Sequence, residues 1–203
     1  MEEQGKQKHA ERMQRKKAVV DAGIEKAQIE RGIVILITGN GKGKTTSGFG
    51  TLYRALGHGH RCGVVQFIKG TQSTGEVIFL QQRLGLDSVQ YHAMATGFTW
   101  NTQNWDADKA AADEAWAHAE RMLQDDSLNL VLLDELTYML KYRFLETDAV
   151  IAAIKARPAH QTVVVTGRAA KPELHDVADT VSEIADRKHA FKAGVKAQAG
   201  IDF

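Results

Sequence analysis

The sequence is poor in the residues and patterns that mark secreted, membrane-spanning and strongly charged proteins. It has one cysteine, Cys62, among 203 residues, so an internal disulfide is excluded. The 26 basic and 25 acidic side chains nearly cancel, and this balance gives no indication of binding to nucleic acid or to a membrane surface. No apolar stretch approaches the roughly 18 residues that a membrane-spanning helix needs. Residues 1–31 lack the apolar core of a signal peptide, and we expect a cytoplasmic protein.

Proline is also scarce, and no repeat or low-complexity linker divides the chain. Fully buried strands are predicted from the apolar runs at 33–37, 64–68, 130–133 and 161–165, and weaker ones at 89–92 and 181–184. Helices are predicted at 44–57, 75–84, 108–123, 148–156 and 173–178. This alternation predicts a single α/β domain over residues 32–203, with a mostly parallel central sheet and helices on both faces. Cys62, at a strand start, is expected to be a buried and inert thiol.

The first 31 residues form a separate charged segment that a minimal α/β domain does not need. Its alanine and glutamate content, as in residues 17–24, favours a helix. This helix could be an accessory element that covers a site or a partner subunit. It could equally be a frayed, solvated tail.

A glycine-rich run follows the first apolar run directly, in the order Thr38, Gly39, Asn40, Gly41, Lys42, Gly43, Lys44, Thr45, Thr46. Glycines at these spacings let successive backbone N–H groups turn inward and form a nest for an anion. The helix predicted to begin there presents its positive dipole end to the same anion. We therefore predict that residues 39–46 bind a nucleotide triphosphate. Lys44 would reach the outer phosphates, and the Thr45 hydroxyl would contact a bound Mg²⁺.

The run departs from the usual phosphate-loop pattern GxxxxGK[ST] at its first position, where Thr38 replaces glycine. Gly39 and Gly41 leave the loop flexible enough to compensate. An ordinary glycine-rich turn is the alternative interpretation. A dinucleotide-binding fingerprint fits less well, because no GxGxxG spacing falls within the loop.

A second motif for a nucleotide site is the apolar strand 130–133 followed by two carboxylates, Asp134 and Glu135. In phosphate-loop enzymes such a strand supplies an acid to the magnesium shell, and we expect it to lie beside the first strand. Hard oxygen ligands suit Mg²⁺, which takes few protein carboxylates. We assign the metal contact to Glu135. Asp134 is expected to support this contact without touching the metal itself.

Two further features lie where loops are expected to border the same site. Arg168 follows the strand at 161–165, and its guanidinium could clamp phosphates or ribose, or form a structural ion pair. Phe98 and Trp100 are large aromatic residues in an irregular segment. They could be a hydrophobic plug, or a wall for a large flat ligand.

Five segments form a distinctive combination, at residues 38–46, 64–70, 95–100, 133–138 and 188–198. Together they resemble the phosphate-loop class of ATP:corrinoid adenosyltransferases, the cob(I)yrinic acid a,c-diamide adenosyltransferases. The resemblance runs from about Gly32 to the end, and the N-terminal helix is also similar to that family. The segments 95–100 and 188–198 are more specific than the loop, and the family also lacks the first glycine of the pattern.

The resemblance implies transfer of the 5′-deoxyadenosyl group of ATP to the cobalt(I) of a corrinoid, with release of triphosphate. Cobalt(I) is a very strong nucleophile, so no general base is required. Lys44, the loop amides, Thr45, Glu135 and Mg²⁺ would neutralise the leaving charge. The nucleotide would lie reversed in the loop, with C5′ facing outward.

By the same resemblance, Phe98 and Trp100 crowd the lower face of the corrin and remove the lower axial ligand from cobalt(II). The four-coordinate cobalt(II) is then easier to reduce, because an axial ligand tunes the potential of a macrocyclic metal. A reduced flavodoxin-like protein could supply the electron. The family also implies a homodimer, with the N-terminal helix folded over the corrinoid.

Two other functions are compatible with the loop and the carboxylates. A conventional phosphate-loop ATPase or kinase would use Glu135 to position water or an acceptor hydroxyl. A non-catalytic nucleotide-binding protein would use Phe98 and Trp100 as an interaction patch. His58, His60, His92 and His118 are not needed as cobalt ligands and are interpreted as surface or packing residues.

Overall fold

The computed structural model describes residues 2–68, 74–84, 89–94 and 104–203. The chain divides into two compact units, residues 1–30 and residues 31–203, one residue from the boundary predicted above. In the first unit, helix α1 spans Glu2–Lys26, and all of its described side chains are exposed. Within the described residues, no helix is both long and apolar enough to cross a membrane.

The second unit is built on a six-stranded sheet in which every described strand pair is parallel. Its strands are β1 (Val34–Thr38), β2 (Cys62–Gln66), β3 (Val89–Ala93), β4 (Leu130–Asp134), β5 (Thr162–Thr166) and β6 (Thr180–Glu183). The order across the sheet is β3-β2-β4-β5-β1-β6. The predicted α/β fold with a parallel sheet is confirmed.

The helices of this unit are α2 (Lys44–Gly57), α3 (Gly75–Phe79), α4 (Trp105–Gln124), α5 (Leu136–Lys141), α6 (Thr147–Ala156) and α7 (Pro172–Val177). A π-helical turn, Leu80–Leu84, continues α3, and a short 3₁₀ helix spans Ala190–Ala193. Among the described residues of this unit, the sequence pattern predicted five of the six α-helices and missed α5, which starts two residues after β4 ends.

Alternating side chains of the strands pack into two apolar layers, one on each face of the sheet. Val34 and Leu36 of β1 pack with α4 to α7, whereas Ile37 packs with α2 and with Leu80 of the π-helical turn. Since parallel strands covered on both faces bury nearly every side chain, their sequences are continuous apolar runs. Cys62 is fully buried in the α2 layer, and burial raises the pKa of its thiol to about 12, as expected for an inert thiol.

The strand order corrects one expectation. The strand that ends in Asp134 and Glu135 does not lie beside β1, because β5 pairs with both β1 and β4 and separates them. Strand order depends on how the crossovers pack, and local sequence patterns do not record it. The carboxyl ends of β1, β4 and β5 still meet at one edge of the sheet, where open α/β sheets bind ligands.

Candidate nucleotide-binding site

The loop after β1 is held closely against the end of β6. The Ile184 amide donates to the Thr38 carbonyl at 2.9 Å, and the Gly41 amide donates to the Ile184 carbonyl at 2.7 Å. A Cβ at Gly41 would lie 2.7 Å from the Ala185 carbonyl oxygen, so only glycine permits this approach. Gly39 adopts φ +100°, a left-handed conformation that also favours glycine.

Helix α2 begins at Lys44, directly after Gly43 with φ +114°. The Lys44 side chain is only 5% exposed, and its Nζ donates to the Gly41 carbonyl at 2.8 Å. Burial lowers the pKa of Lys44, while the nearby Glu135 carboxylate opposes that effect. A cation is therefore fixed inside the loop, where the helix dipole already favours an anion.

Asp134, the last residue of β4, is fully enclosed and hydrogen-bonded. It accepts from Gln66 Nε2 at 3.0 Å and from Thr166 Oγ1 at 2.6 Å, and the Thr45 side chain also hydrogen-bonds to it. Gln66 in turn accepts from the Tyr91 hydroxyl at 2.7 Å. Burial raises the pKa of Asp134, although these hydrogen bonds favour its charged form.

Glu135 differs from Asp134 in its backbone conformation and in the hydrogen bonding of its carboxylate. Its backbone lies in the left-handed region at φ 59°, and its amide donates to Thr166 Oγ1 at 3.0 Å. One of its carboxylate oxygens, Oε2, is buried and has no hydrogen-bond partner among the described residues. Burial, with Asp134 beside it, raises the pKa of Glu135 to about 7, against the attraction of Lys44 and Arg168.

These groups line a cavity of about 570 Å³ beyond the carboxyl ends of the strands. The predicted residues that line it are Gly41, Lys42, Gly43, Lys44, Thr45, Thr46, Asp134, Glu135 and Arg168. Gly39 and Asn40 belong to the loop but are not part of the cavity lining. We call the loop residues 41–46 together with Gln66, Asp134 and Glu135 the sheet wall.

Another part of the cavity lining comes from the last residues of the chain, which the sequence interpretation did not assign to the site. We call it the tail wall, and it consists of His189, Ala197, Ile201, Asp202 and Phe203. An ion pair links the two walls, with Lys42 Nζ 3.1 Å from Asp202 Oδ1. Thr74 and Glu76 at the start of α3 also line the cavity and were not predicted.

Several missed residues had a detectable signal. Gln66 ends a buried strand at the ligand-binding edge, so its position alone made it a candidate. His189 and Ala197 fall within the segment 188–198 that carried the family resemblance. Phe98 and Trp100, the two predicted catalytic aromatic residues, lie outside the described residues.

The polar groups of the cavity fit a bound divalent cation. Its lining contains two buried oxygens without partners among the described residues, Glu135 Oε2 and Thr74 Oγ1. Two carboxyl groups with raised pKa values share the site with Lys44. Since buried carboxylates become favourable when a cation is near, this all-oxygen donor set fits Mg²⁺.

A parallel sheet, a glycine loop around a buried lysine and two carboxylates at the same edge define a phosphate-loop nucleotide-binding protein. The family matched over residues 30–203 is described as "ATP:corrinoid adenosyltransferase BtuR/CobO/CobP". Residues 1–24 match the family "Cob(I)alamin adenosyltransferase N terminal". The chain belongs to the ATP:corrinoid adenosyltransferase family, and it is a transferase enzyme.

Similar proteins come from several bacteria. The chain is 54% identical to "Corrinoid adenosyltransferase" of Escherichia coli (strain K12), over 97% of this chain and 98% of that protein. "Corrinoid adenosyltransferase CobA" of Salmonella typhimurium is likewise 54% identical over the same shares. The corresponding protein of Pseudomonas aeruginosa is 55% identical, over 97% of this chain and 96% of that one.

A solved structure supports the fold alone. The flagellar accessory protein FlaH of Methanocaldococcus jannaschii superposes with a TM-score of 0.51 at 13% identity. The match covers 76% of this chain and 72% of FlaH.

Proposed function

We propose that this protein transfers the 5′-deoxyadenosyl group of ATP to the cobalt(I) of a corrinoid and releases triphosphate. One observation carries the proposal: the phosphate-binding cavity belongs to a chain 54% identical, over 97% of its length, to a protein named corrinoid adenosyltransferase. The cavity geometry supports the nucleotide half of the reaction, and the family membership supports the corrinoid half.

In the proposed reaction the electron pair of cobalt(I) attacks C5′ of ATP. A Co–C bond forms, the C5′–O5′ bond breaks, and O5′ leaves with the triphosphate. Because the nucleophile carries no proton, this step needs no general base. The protein must hold C5′ in line with cobalt, and such positioning is worth roughly 7–11 kcal/mol. We infer that ATP lies reversed in the loop, so that C5′ faces outward.

The sheet wall is suited to stabilising the leaving triphosphate. Lys44 is fixed by its bond to the Gly41 carbonyl, so its charge needs little reorganisation when the negative charge develops. The start of α2 directs backbone N–H groups at the same place. Arg168 is exposed at the cavity, where a guanidinium can pair with phosphate oxygens.

Mg²⁺ would be held by the Thr45 hydroxyl and by Glu135, and when bound it would add positive charge beside the phosphates. Asp134 acts as a positioning residue, because its hydrogen bond to Thr45 orients that hydroxyl. Phe98 and Trp100 would crowd the lower face of the corrin and leave cobalt(II) four-coordinate, ready for reduction by a reduced flavodoxin-like protein.

Product analysis tests the transfer. With Mg-ATP and chemically reduced cob(I)alamin, we expect triphosphate and adenosylcobalamin in equal amounts. Lys44→Ala should abolish both, whereas Lys155→Ala, an exposed lysine on α6, should leave them unchanged. Accumulation of ADP and phosphate would contradict the proposal.

A specific observation favours ATP hydrolysis as the second candidate. The pKa of Glu135 is raised to about 7, which suits a carboxylate that accepts a proton from water near the phosphates. Such an ATPase would release phosphate without any corrinoid, and Glu135→Gln would stop it. The same product analysis therefore separates the two functions.

The corrinoid half is tested by the visible spectrum of cob(II)alamin with the protein. We expect the feature of four-coordinate cobalt(II) only after Mg-ATP is added, and its loss in Phe98→Ala and Trp100→Ala. A spectrum that does not change on adding Mg-ATP would contradict this role. We further propose a homodimer, and sedimentation of the full chain tests it.

A further inference from the structure

A second group of side chains with metal-binding chemistry lies away from the nucleotide cavity. His92 is on β3, and Glu114 and His118 are on α4. Each of the three offers one ligand atom, and these atoms all lie within 4.8 Å of one another. None of the three residues lines the nucleotide cavity.

Strand register and helix periodicity explain why these three residues lie close together. His92 pairs in register with Val65, whose side chain belongs to the apolar layer that also contains Ala115 and Ala119 of α4. Because paired residues of parallel strands share a face, His92 lies on the α4 side of the sheet. Glu114 and His118 are four residues apart on α4 and therefore neighbours on its surface.

The two imidazole rings are stacked, with centroids 3.8 Å apart and planes inclined by 13°. Burial lowers the pKa of His92, with the neighbouring His118 as the next cause. Glu114 supplies a negative charge. The positive charge of Arg121 also lowers the pKa of His92, and it opposes the binding of a cation here.

We infer that His92, Glu114 and His118 form a binding site for a divalent transition-metal ion of the Zn²⁺ class, separate from the magnesium site. Two imidazoles and one carboxylate are a ligand set that Zn²⁺ accepts, with water in the fourth position. Ligand atoms of tetrahedral Zn²⁺ lie ~3.3 Å apart. Because an imidazole lone pair lies in the plane of its ring, one of the two stacked rings must turn out of the stack before both can face the ion.

An ion bound there would join the outermost strand of the sheet to α4. β3 has only one partner strand in the described part of the sheet. A hydrogen bond from Gln90 Nε2 to Asp125 Oδ2, at 2.8 Å, already links β3 to the end of α4. That link holds the two elements in place before any metal binds, which reduces the ordering that binding requires.

The experiment is a Zn²⁺ titration of the full chain after EDTA treatment and gel filtration. Mg²⁺ is kept in large excess and nucleotide is omitted, so that Mg²⁺ occupies the oxygen ligands of the nucleotide site. We expect one Zn²⁺ per chain and a rise in the thermal midpoint. His92→Gln and His118→Gln should each weaken binding by more than about ten-fold, since losing even an outer-shell partner costs that much. Glu114→Gln should weaken it in the same direction.

His58 and His60 provide a matched control, because they are a neighbouring histidine pair with ring centroids 6.4 Å apart and no third ligand in the candidate group. The double variant His58→Gln, His60→Gln should keep the Zn²⁺ site. Binding that survives both His92→Gln and His118→Gln, or that the control removes equally, would overturn the inference.

A spectroscopic measurement keeps the inference testable if one variant fails to fold. Tetrahedral Co²⁺ should give intense visible d–d absorption with the wild type and with the His58/His60 control, and much weaker absorption at the same Co²⁺ concentration with whichever of the three site variants is folded. Absence of this absorption in the wild type, together with no Zn²⁺ uptake, would also overturn it.

Discussion

The two walls of the nucleotide cavity are built in different ways. The sheet wall joins the glycine loop to side chains at the ends of strands, and Lys44, Gln66 and Asp134 within it are buried, with Asp134 only 1% exposed. The tail wall contains no buried residue: Ile201 is 62% exposed, and His189 and Phe203 are half-buried. The Lys42–Asp202 ion pair joins this wall to the loop.

This difference separates two tasks. Buried groups fixed by several hydrogen bonds can stabilise charge without reorganising, as the leaving triphosphate of the proposed reaction would require. Exposed segments are where local opening costs least free energy, so they suit the entry and release of substrates. Changes in the sheet wall should therefore affect chemistry and stability, and changes in the tail wall should affect binding.

The largest effect is expected from Lys44→Ala in the sheet wall. Loss of a fixed charge at the developing negative charge should lower kcat for adenosyl transfer by about 100- to 1,000-fold. The measurement is the rate of adenosylcobalamin formation under saturating ATP. Lys155→Ala should retain the wild-type rate, and a loss of less than a few-fold in Lys44→Ala would contradict the role of this wall.

The next largest effect is expected on the free energy of unfolding, when the two adjacent carboxylates of the sheet wall are replaced in turn. In Asp134→Asn an amide NH₂ must face one of the donors from Gln66, Thr166 and Thr45, and this mismatch should lower the free energy of unfolding by about 1–3 kcal/mol. Glu135→Gln should not lower it, because Oε2 of Glu135 has no hydrogen-bond partner to lose among the described residues.

Urea unfolding in the absence of nucleotide measures both variants. We expect Glu135→Gln to lose Mg²⁺-dependent activity while its unfolding midpoint stays equal to or above that of the wild type. If both variants were destabilised to the same extent, the distinction between a satisfied and an unsatisfied carboxylate would be wrong.

A smaller effect is expected in the tail wall. Asp202→Asn breaks an exposed ion pair with Lys42, and such pairs add little to stability in water. We expect an unchanged thermal midpoint and a change of only a few-fold in the KM for ATP, with kcat retained. A fall in kcat comparable to that of Lys44→Ala would mean that the tail wall takes part in the chemistry.

The smallest effect is expected outside both walls, at the start of β1. Asp179 accepts hydrogen bonds from Arg31 and from the Val34 amide, and these lower its pKa to about 2. A carboxyl with a depressed folded-state pKa stabilises the fold above its unfolded pKa, and this contribution is lost as the pH falls toward 2.

We therefore expect Asp179→Asn to be less stable than the wild type at pH 7, with a gap that narrows on acidification from about pH 4 toward pH 2. Urea unfolding at a series of pH values measures the gap. A gap that widens in acid would show that the Arg31–Asp179 pair does not account for the shift.

The sequence predicted the sheet wall better than the tail wall, for physical reasons. The loop and Asp134–Glu135 are local motifs attached to apolar strands, so both the strands and their ends could be located. The tail wall has no periodic pattern, and among the described residues one ion pair between positions distant in sequence, Lys42–Asp202, joins it to the loop. Such contacts leave no local signal.

Local sequence patterns also failed to predict two structural details beside the sheet wall. Helix α5 was missed because it starts just after Glu135, a non-glycine residue at φ 59° that no propensity indicates. The position of β5 was missed because only tertiary packing decides strand order. Thr166, at the end of β5, therefore had no predicted role, although its hydroxyl bonds both Asp134 and the Glu135 amide.

The insertion of β5 between β1 and β4 also has a consequence for how the protein folds. Val34 of β1 pairs with Val163 of β5 across more than half of the chain. Contacts so distant in sequence form slowly, because the intervening loop must close first. A folding intermediate without β5 would hold the glycine loop and the carboxylates apart, so ATP should stabilise only species that form after this strand has docked.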